Sequence, residues 1–343
     1  MNKYFVGVLV ILFALATIYY LGDSLMPSEN EVIVYVSHDQ DYSEPILKDF
    51  EKDTGIKVKA VYDTEATKTV GLVNRLIAEK NRPQADVFWN NELSRTILLK
   101  EKGVLSPYKS SGALDKPDSY KDPDGYWTGF AARARVMIYN TQSVKETEAP
   151  KSINDLLNPM WRGKVGIANP ALGTTGDQVA ALFSLWGDDV AKRYFTGLKG
   201  NDVKVVESNG MVKNQVAAGE LYMGLTDTDD ANDAIQGGKS VAMVYPDQRE
   251  GGIGTLLLPN SVMLIKGAPH QENAKKLIDY LLSSTTEEKL SRSKAVQIPL
   301  GKGVPHPDNV PSIESLKLMN VSQYDVYSSL NRSQEFITQL LIN

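Results

Sequence analysis

Short runs of β-branched and other apolar residues alternate along the chain with segments whose apolar residues recur every three or four positions. The run Val32–Val36 predicts a buried strand, and Ser43-Glu44-Pro45 predicts the start of a helix that ends at Gly55. The same alternation predicts strands at Ile56–Tyr62, Ala85–Trp89, Lys164–Ala168, Asp202–Val206 and Leu221–Thr226, with helices at Lys68–Lys80, Thr175–Trp186 and Gly210–Ala218. This order predicts an α/β fold built of βαβ units around mostly parallel sheets.

Two longer strand-like stretches interrupt this alternation. Tyr126–Tyr139 and Gly254–Lys266 are far apart in sequence and are typical of segments that cross between two lobes. We therefore predict two discontinuous lobes, residues 31–132 with 261–305 and residues 133–260 with 306–343. Between the second crossing and the C-terminus, the apolar period predicts one long amphipathic helix over Gln271–Leu290.

The N-terminal segment has the pattern of an export signal. Lys3 precedes an uncharged, largely apolar run, Tyr4–Leu21, and a polar stretch follows it. A secretory h-region has roughly 7–15 apolar residues, whereas about 18 can already cross a bilayer. Residues 1–30 are thus predicted to be a signal peptide or an N-terminal membrane anchor, followed by a linker. Either alternative places the remaining chain in the periplasm or on the extracellular face of the cytoplasmic membrane.

Composition excludes several classes of protein. The chain has 343 residues, a formal net charge of -5, no cysteine and three histidines. Acidic and basic residues are mixed along the chain, which argues against a nucleic-acid partner. The lack of cysteine excludes disulfides and thiolate chemistry, and so few histidines argue against a hydrolytic triad or a zinc site.

The small-residue turn Gly173-Thr174-Thr175-Gly176 stands between a predicted strand and a predicted helix. Backbone N–H groups that converge at a helix start bind anions, while a plain threonine N-cap would explain the same residues. On the first crossing stretch, Arg133 and Arg135 alternate, and we expect one of them, Arg133, to reach the cleft.

The most unusual cluster is Asp227-Thr228-Asp229-Asp230, directly after an apolar strand. One interpretation is an aspartate N-cap with first-turn acids that complement the helix dipole. The other is a group of carboxylates that face the cleft and hold a hard cation or an organic amine.

Several strings, in this order, resemble the ferric-ion-binding periplasmic proteins of ABC importers. They are Val34-Tyr35, Asp53-Thr54-Gly55-Ile56-Lys57-Val58, Ala85-Asp86-Val87-Phe88, Arg133-Ala134-Arg135-Val136, Gly163-Lys164-Val165-Gly166 and Ala218-Gly219-Glu220. The resemblance covers nearly everything after Glu31. It implies a type II periplasmic binding protein: two Rossmann-like lobes joined by a hinge, with the ligand cleft between them.

The resemblance also implies a set of site residues, although the family's two adjacent tyrosine ligands are replaced here by Asp229 and Asp230. It places ligand-binding residues in the loop after strand one, after the Asp-Val-Phe strand, in the anion turn and near a supporting asparagine. The predicted ligand-binding residues are His38, Asp39, Asn91, Glu92, Arg133, Gly173, Thr174, Thr175, Asn209, Asp227, Asp229 and Asp230, with Asp229 and Asp230 as candidate metal ligands.

The function that this resemblance implies is extracytoplasmic binding for an ABC importer, without catalysis and without a cofactor. The expected ligand is ferric ion with a synergistic anion or a small anionic or phosphorylated solute. The expected partner is a membrane permease, and the chain is expected to be a monomer.

A second hypothesis is a secreted carboxylate- and metal-dependent phosphohydrolase, with Asp227, Asp229, Asp230 and Glu92 as metal ligands. A third is a tethered ligand sensor.

Overall fold

The computed structural model describes residues 30–63 and 70–342. The predicted export segment therefore lies outside the described residues. Within the described ranges, no helix combines the length and the hydropathy that a membrane crossing requires.

The strands form one continuous path of pairing. Their bounds are β1 Glu31–Val36, β2 Lys57–Tyr62, β3 Val87–Asn90, β4 Leu105–Ser106, β5 Thr128–Asn140, β6 Val165–Ala168, β7 Lys204–Val206, β8 Met223–Asp227, β9 Val241–Val244 and β10 Leu257–Ile265. The order across the sheet is β2-β1-β3-β10-β5-β8-β6-β7, with β4 beside β10 and β9 beside β5. The parallel pairs are β1 with β2 and β3, and β6 with β7 and β8. These are the βαβ units that the alternation predicts.

The structure has the predicted helices, with two differences in their bounds, and further helices that the alternation does not predict. Their bounds are α1 Gln40–Thr54, α2 Val70–Ala78, α3 Leu93–Glu101, α4 Gly173–Trp186, α5 Asp188–Gly200, α6 Asn209–Ala217, α7 Thr228–Gln236, α8 Gln271–Leu281, α9 Ser284–Arg292 and α10 Gln323–Ile337. Helix α4 begins at Gly173, so the small-residue turn is the first turn of that helix. The prediction of one helix over Gln271–Leu290 is wrong, because the Ser283 hydroxyl accepts a hydrogen bond of 3.2 Å from the Thr286 N–H and starts a second helix.

Strand β5 passes from one group of strands to the other. Its first half pairs with β10, as in Leu257 opposite Ala134, and its second half pairs with β8, beginning with Arg135 opposite Asp227. The backbone at Ala131 has a φ of 38°, and the register of β10 shifts between Pro259 and Asn260. The chain therefore bends where it crosses, as the irregularity of a β-bulge would produce.

On each side of the crossing, helices pack apolar residues against the strands and so hold the strand ends in place. Strand β3 is buried throughout, and Phe50 and Leu277 pack from α1 and α8 into the same cluster of buried residues as Trp89. On the other side of the crossing, Phe183 of α4 packs in a cluster with Val165 and Met223. The carboxyl ends of β1, β3, β6 and β8 consequently converge on one region, which is where open α/β sheets bind ligands.

Candidate ligand-binding site

A cavity of about 730 Å³ lies at these strand ends. Of the predicted site residues, Asp39, Asn91, Arg133, Gly173, Thr174, Thr175, Asn209, Asp227, Asp229 and Asp230 line it. Sequence reasoning missed other polar lining residues, namely Asn74, Asn169, Glu207 and Ser208. The cavity thus has the size of a small-molecule site, and its many polar groups suit a polar or charged ligand.

Asp227, the last residue of β8, accepts hydrogen bonds from four side chains. Arg135 Nη1 is 2.7 Å from Oδ1, while the Thr174 hydroxyl is 2.9 Å, Asn209 Nδ2 is 3.2 Å and Arg133 Nη1 is 3.2 Å from Oδ2. Burial raises the pKa of Asp227, but Arg135 and Arg133 outweigh that effect and hold it below its usual range. Asp227 is therefore an ionised, fully partnered anchor between β5, α4 and α6.

Arg133 links Asp227 to the other side of the cleft. Its Nη2 donates a hydrogen bond of 3.1 Å to the carbonyl oxygen of Asn91, and its Nη1 is 3.8 Å from Asp229 Oδ2. Burial lowers the pKa of Arg133, whereas Asp227 and Asp229 raise it and set the net direction. The guanidinium thus remains charged and occupies the space between two aspartates.

Arg135 is a site residue that the predicted set omits. The side chain is fully buried, and it donates to Asp227, Asn209 at 3.0 Å, Gln178 at 2.9 Å and the hydroxyls of Thr174 and Thr175 at 3.3 Å each. Alternate residues of a strand share a face, and Arg133 and Arg135 accordingly both donate to Asp227. In the sequence, the spacing of two residues between the arginines was the signal that both could contact the same site residue.

Asp229 and Asp230 lie in the first turn of α7, directly after Asp227. The three residues offer carboxylate oxygens that all lie within 4.8 Å of one another. The pKa of Asp229 is raised to about 6 and that of Asp230 to about 8, with burial as the largest cause and the neighbouring carboxylates as a further one. Asp230 receives one hydroxyl hydrogen bond, 3.3 Å from Thr226. A cationic group that binds at these two carboxyls would therefore displace a proton from them.

The first turn of α4 forms another part of the cavity wall, next to Asp227. Gly173 has a φ of 57°, which favours glycine, and the N-cap residue Leu172 provides no side-chain acceptor. Because the first N–H groups of a helix lack partners within the helix, Gly173–Thr175 present donors at the positive end of its dipole. The threonine hydroxyls are already bonded to Asp227 and Asn209. Backbone N–H groups are thus the groups best suited to an anion here.

Two predicted residues do not line the cavity. His38 is buried, its Nε2 is 3.1 Å from Gln297 Nε2, and its ring packs beside Tyr42 and Trp89. Glu92 is the residue before α3, and a Cβ added at Gly173 would lie 3.7 Å from its Oε1. Glu92 therefore lies beside the anion turn, outside the cavity wall.

One further contact joins the two sides of the cleft. The Ser94 hydroxyl of α3 donates a hydrogen bond of 2.7 Å to Asp177 Oδ1 of α4, and both residues are buried. Burial is the largest cause that raises the pKa of Asp177 to about 6, although Ser94 lowers it. No sequence motif distinguishes these residues, since the contact depends on how α3 and α4 approach.

Comparison with known proteins decides the class. The model of the family described as bacterial extracellular solute-binding protein matches residues 46–316. The chain belongs to this family. This solute-binding protein is 29% identical over 301 residues to iron uptake protein A1 of Synechocystis, covering 84% of this chain and 81% of that protein. It is 28% identical over 323 residues to a Salmonella typhimurium periplasmic protein named for 2-aminoethylphosphonate binding, covering 92% and 90%.

The fold also matches a solved structure. The periplasmic binding protein AfuA of Actinobacillus pleuropneumoniae, with fructose 6-phosphate bound, superposes with a TM-score of 0.77 at 24% identity, over 92% of this chain and 98% of that one. The predicted type II periplasmic binding protein fold is confirmed. The solute-binding protein is an extracytoplasmic binding protein of the ABC-importer type, and the phosphohydrolase hypothesis is wrong because the family binds solutes and is not enzymatic.

Proposed function

We propose that this solute-binding protein captures a small zwitterionic organophosphorus solute, an aminoalkylphosphonate or a phosphorylated amine, and delivers it to an ABC permease. The supporting observation is that a helix N-terminus and a pair of neighbouring carboxylates line the same cavity. The proposal includes the two lobes predicted above, with the exchange at β5 and β10, and a monomer exported by residues 1–30 as a cleaved signal or an anchor.

The anionic end belongs at Gly173–Thr175. A phosphonate oxygen placed at the start of α4 would accept backbone N–H hydrogen bonds where the helix dipole favours negative charge. Arg135 donates to both threonine hydroxyls and, together with Arg133, compensates the charge of Asp227 beside this turn. An arrangement of fixed donors suits an oxygen-rich anion more than an apolar group.

The cationic end belongs at Asp229 and Asp230. Two neighbouring carboxylates with raised pKa values repel each other when both are ionised, and an ammonium group relieves that repulsion. Asp39 also lines this part of the cavity and raises the pKa of Asp229, so it would add to the attraction for an amine. The relative named for 2-aminoethylphosphonate binding has the same two charges in its named ligand.

Ferric ion is the second candidate, because Asp227, Asp229 and Asp230 offer hard oxygen ligands within 4.8 Å. Against it, Asp227 is already bonded to two arginines, and Arg133 lies 3.8 Å from Asp229. Among the described residues no tyrosine lines the cavity. Tyr42 lies near the aspartates, but burial and Asp229 raise its pKa to about 12, so it stays a neutral phenol.

Isothermal titration calorimetry with matched ligands tests the proposal. We expect 2-aminoethylphosphonate to bind at least tenfold more tightly than ethylphosphonate, which lacks the amine, and than ethanolamine, which lacks the anion. Each loss corresponds to about 1.4 kcal/mol. Asp230→Asn should remove most of the preference over ethylphosphonate, while exposed Asp189→Asn is the matched control. Tight binding of ferric citrate without binding of any phosphonate would overturn the proposal in favour of iron.

A further inference from the structure

Helix α10, near the C-terminus, contacts helices on both sides of the cleft. Its buried residues Val326 and Leu330 belong to the same apolar cluster as Phe183 of α4. Tyr327 packs against that cluster and also against the cluster that contains Leu99 of α3. Since α3 follows β3 and α4 follows β6, α10 lies in the predicted second lobe and reaches the predicted first lobe.

The N-terminal half of α10 is bonded to the end of α3. The Tyr327 hydroxyl donates a hydrogen bond of 2.7 Å to Glu101, the last residue of α3. The Tyr324 hydroxyl donates to Asp122 and accepts a hydrogen bond of 3.1 Å from Lys100 Nζ. Lys100 Nζ is also 2.5 Å from Asp122 Oδ2, so the Tyr324 hydroxyl joins an ion pair of the first lobe. All of these hydrogen bonds have a charged partner, which makes them stronger than bonds between neutral groups.

The C-terminal half of α10 is bonded to the second lobe. Arg332 Nε is 3.1 Å from Asp188 Oδ1 of α5. Gln334 Nε2 donates a hydrogen bond of 3.0 Å to the carbonyl oxygen of Ala171, two residues before α4 begins. The first turn of α4 lines the ligand cavity. One helix therefore connects the end of α3 in the first lobe to the loop before the cavity wall in the second.

From these contacts we propose that α10 is a strap that holds the two lobes together in the ligand-free protein. A hinge motion that separates α3 from α4 must break the contacts of α10 on one side. Its contacts with α4 are buried and apolar, whereas Tyr324 and Glu101 on the α3 side are exposed. The bonds to α3 are thus the ones that break when the cleft opens. Their strength sets the ratio of open to closed protein, whatever the ligand is.

Distances between the lobes in the ligand-free, full-length protein test the strap. The chain has no cysteine, so two introduced cysteines carry spin labels at defined positions. Lys48→Cys and Asn214→Cys replace exposed residues of α1 and α6, one in each predicted lobe. Pulsed double electron–electron resonance then gives the distribution of distances between the labels. Removing both hydroxyls, with Tyr324→Phe and Tyr327→Phe, should raise the ratio of long to short distances by about fivefold.

Tyr108→Phe in the same labelled protein is the matched control. It also removes a hydrogen bond from a tyrosine hydroxyl to a carboxylate, 2.8 Å to Asp279, but both residues are in the predicted first lobe. We expect its distance distribution to equal that of the parent. A distribution for the Tyr324→Phe and Tyr327→Phe variant that matches the one for Tyr108→Phe overturns the proposal.

Glu101→Ala tests the strap from the α3 side, and it keeps the proposal testable should the double tyrosine variant fail to fold. Because Glu101 is exposed, its removal should leave the thermal unfolding temperature close to that of the parent. Alone, Glu101→Ala should shift the distances in the same direction as Tyr327→Phe. Added to Tyr327→Phe, it should cause no further shift, since the two residues share one hydrogen bond. Unchanged distances in Glu101→Ala, or fully additive shifts in the pair, would also overturn the proposal.

Discussion

Ser94 and Asp177 form a buried hydrogen bond of 2.7 Å between residues 83 positions apart. Ser94 is in α3, which follows β3, and Asp177 is in α4, which follows β6. The two helices thus contact each other directly beside the cavity. A ligand that brings the two sides of the cleft together would gain the free energy of this bond.

Ser94→Ala tests that contribution. Removing the hydroxyl leaves the Asp177 carboxylate without its closest donor, and a hydrogen bond to a charged group contributes about 1.5–3 kcal/mol. We expect affinity for 2-aminoethylphosphonate to fall roughly tenfold and the radius of gyration of the ligand-free variant, from small-angle scattering, to exceed that of the parent. Ser111→Ala, an exposed serine, is the control. Identical scattering curves and affinities for both variants would contradict a role in closure.

Ligand binding should release a proton near neutral pH. The pKa values of Asp229 and Asp230 are raised to about 6 and about 8, and a bound ammonium would lower both by favouring the ionised forms. Affinity for 2-aminoethylphosphonate should therefore rise from pH 6 to pH 8, because fewer of the Asp229 and Asp230 carboxyls are protonated before the ligand binds. Calorimetry at pH 7 in buffers of different ionisation enthalpy measures the released proton. Asp230→Asn should release less, and a parent enthalpy that does not vary with buffer contradicts the prediction.

The same pKa shift makes the ligand-free protein less stable at alkaline pH. Since the folded-state pKa of Asp230 is raised above its unfolded value, its contribution to stability is complete at acidic pH and is lost as pH rises through about 8. Asp230→Asn cannot ionise, so it should be more stable than the parent above pH 8, by about 1–3 kcal/mol. Urea denaturation at pH 5 and pH 9 measures this difference. A variant that is destabilised equally at both pH values would refute it.

Arg135 should matter more for stability than any exposed arginine. Arg135→Ala would leave the buried Asp227 carboxylate without its shortest ion pair, and breaking a buried pair in this way costs about 3–5 kcal/mol. Arg162→Ala is the control, because Arg162 and Asp202 form an exposed pair at 3.1 Å that contributes less than about 1 kcal/mol. Urea denaturation compares the two variants. Equal losses would mean that Arg135 does not anchor Asp227.

The order of secondary structure could be predicted because it depends on local periodicity. The run Val32–Val36 and the glycine at residue 55 specify a strand and a helix end without reference to the rest of the chain, and the structure has both. The break at Ser283 was missed because the apolar period continues across it, while the capping hydrogen bond that divides the helix depends on one hydroxyl.

The sequence by itself determined which loops supply the site, because parallel strands bring their carboxyl ends to one edge. Asp227, Asp229 and Asp230 could be predicted on that basis, and they line the cavity. Only the tertiary structure decided which of the three carboxylates is compensated by arginines and which two have raised pKa values. Asp227 is held by arginines more than 90 positions away in sequence, while Asp229 and Asp230 keep raised pKa values. Burial and charge compensation depend on distant contacts, and no local pattern encodes them.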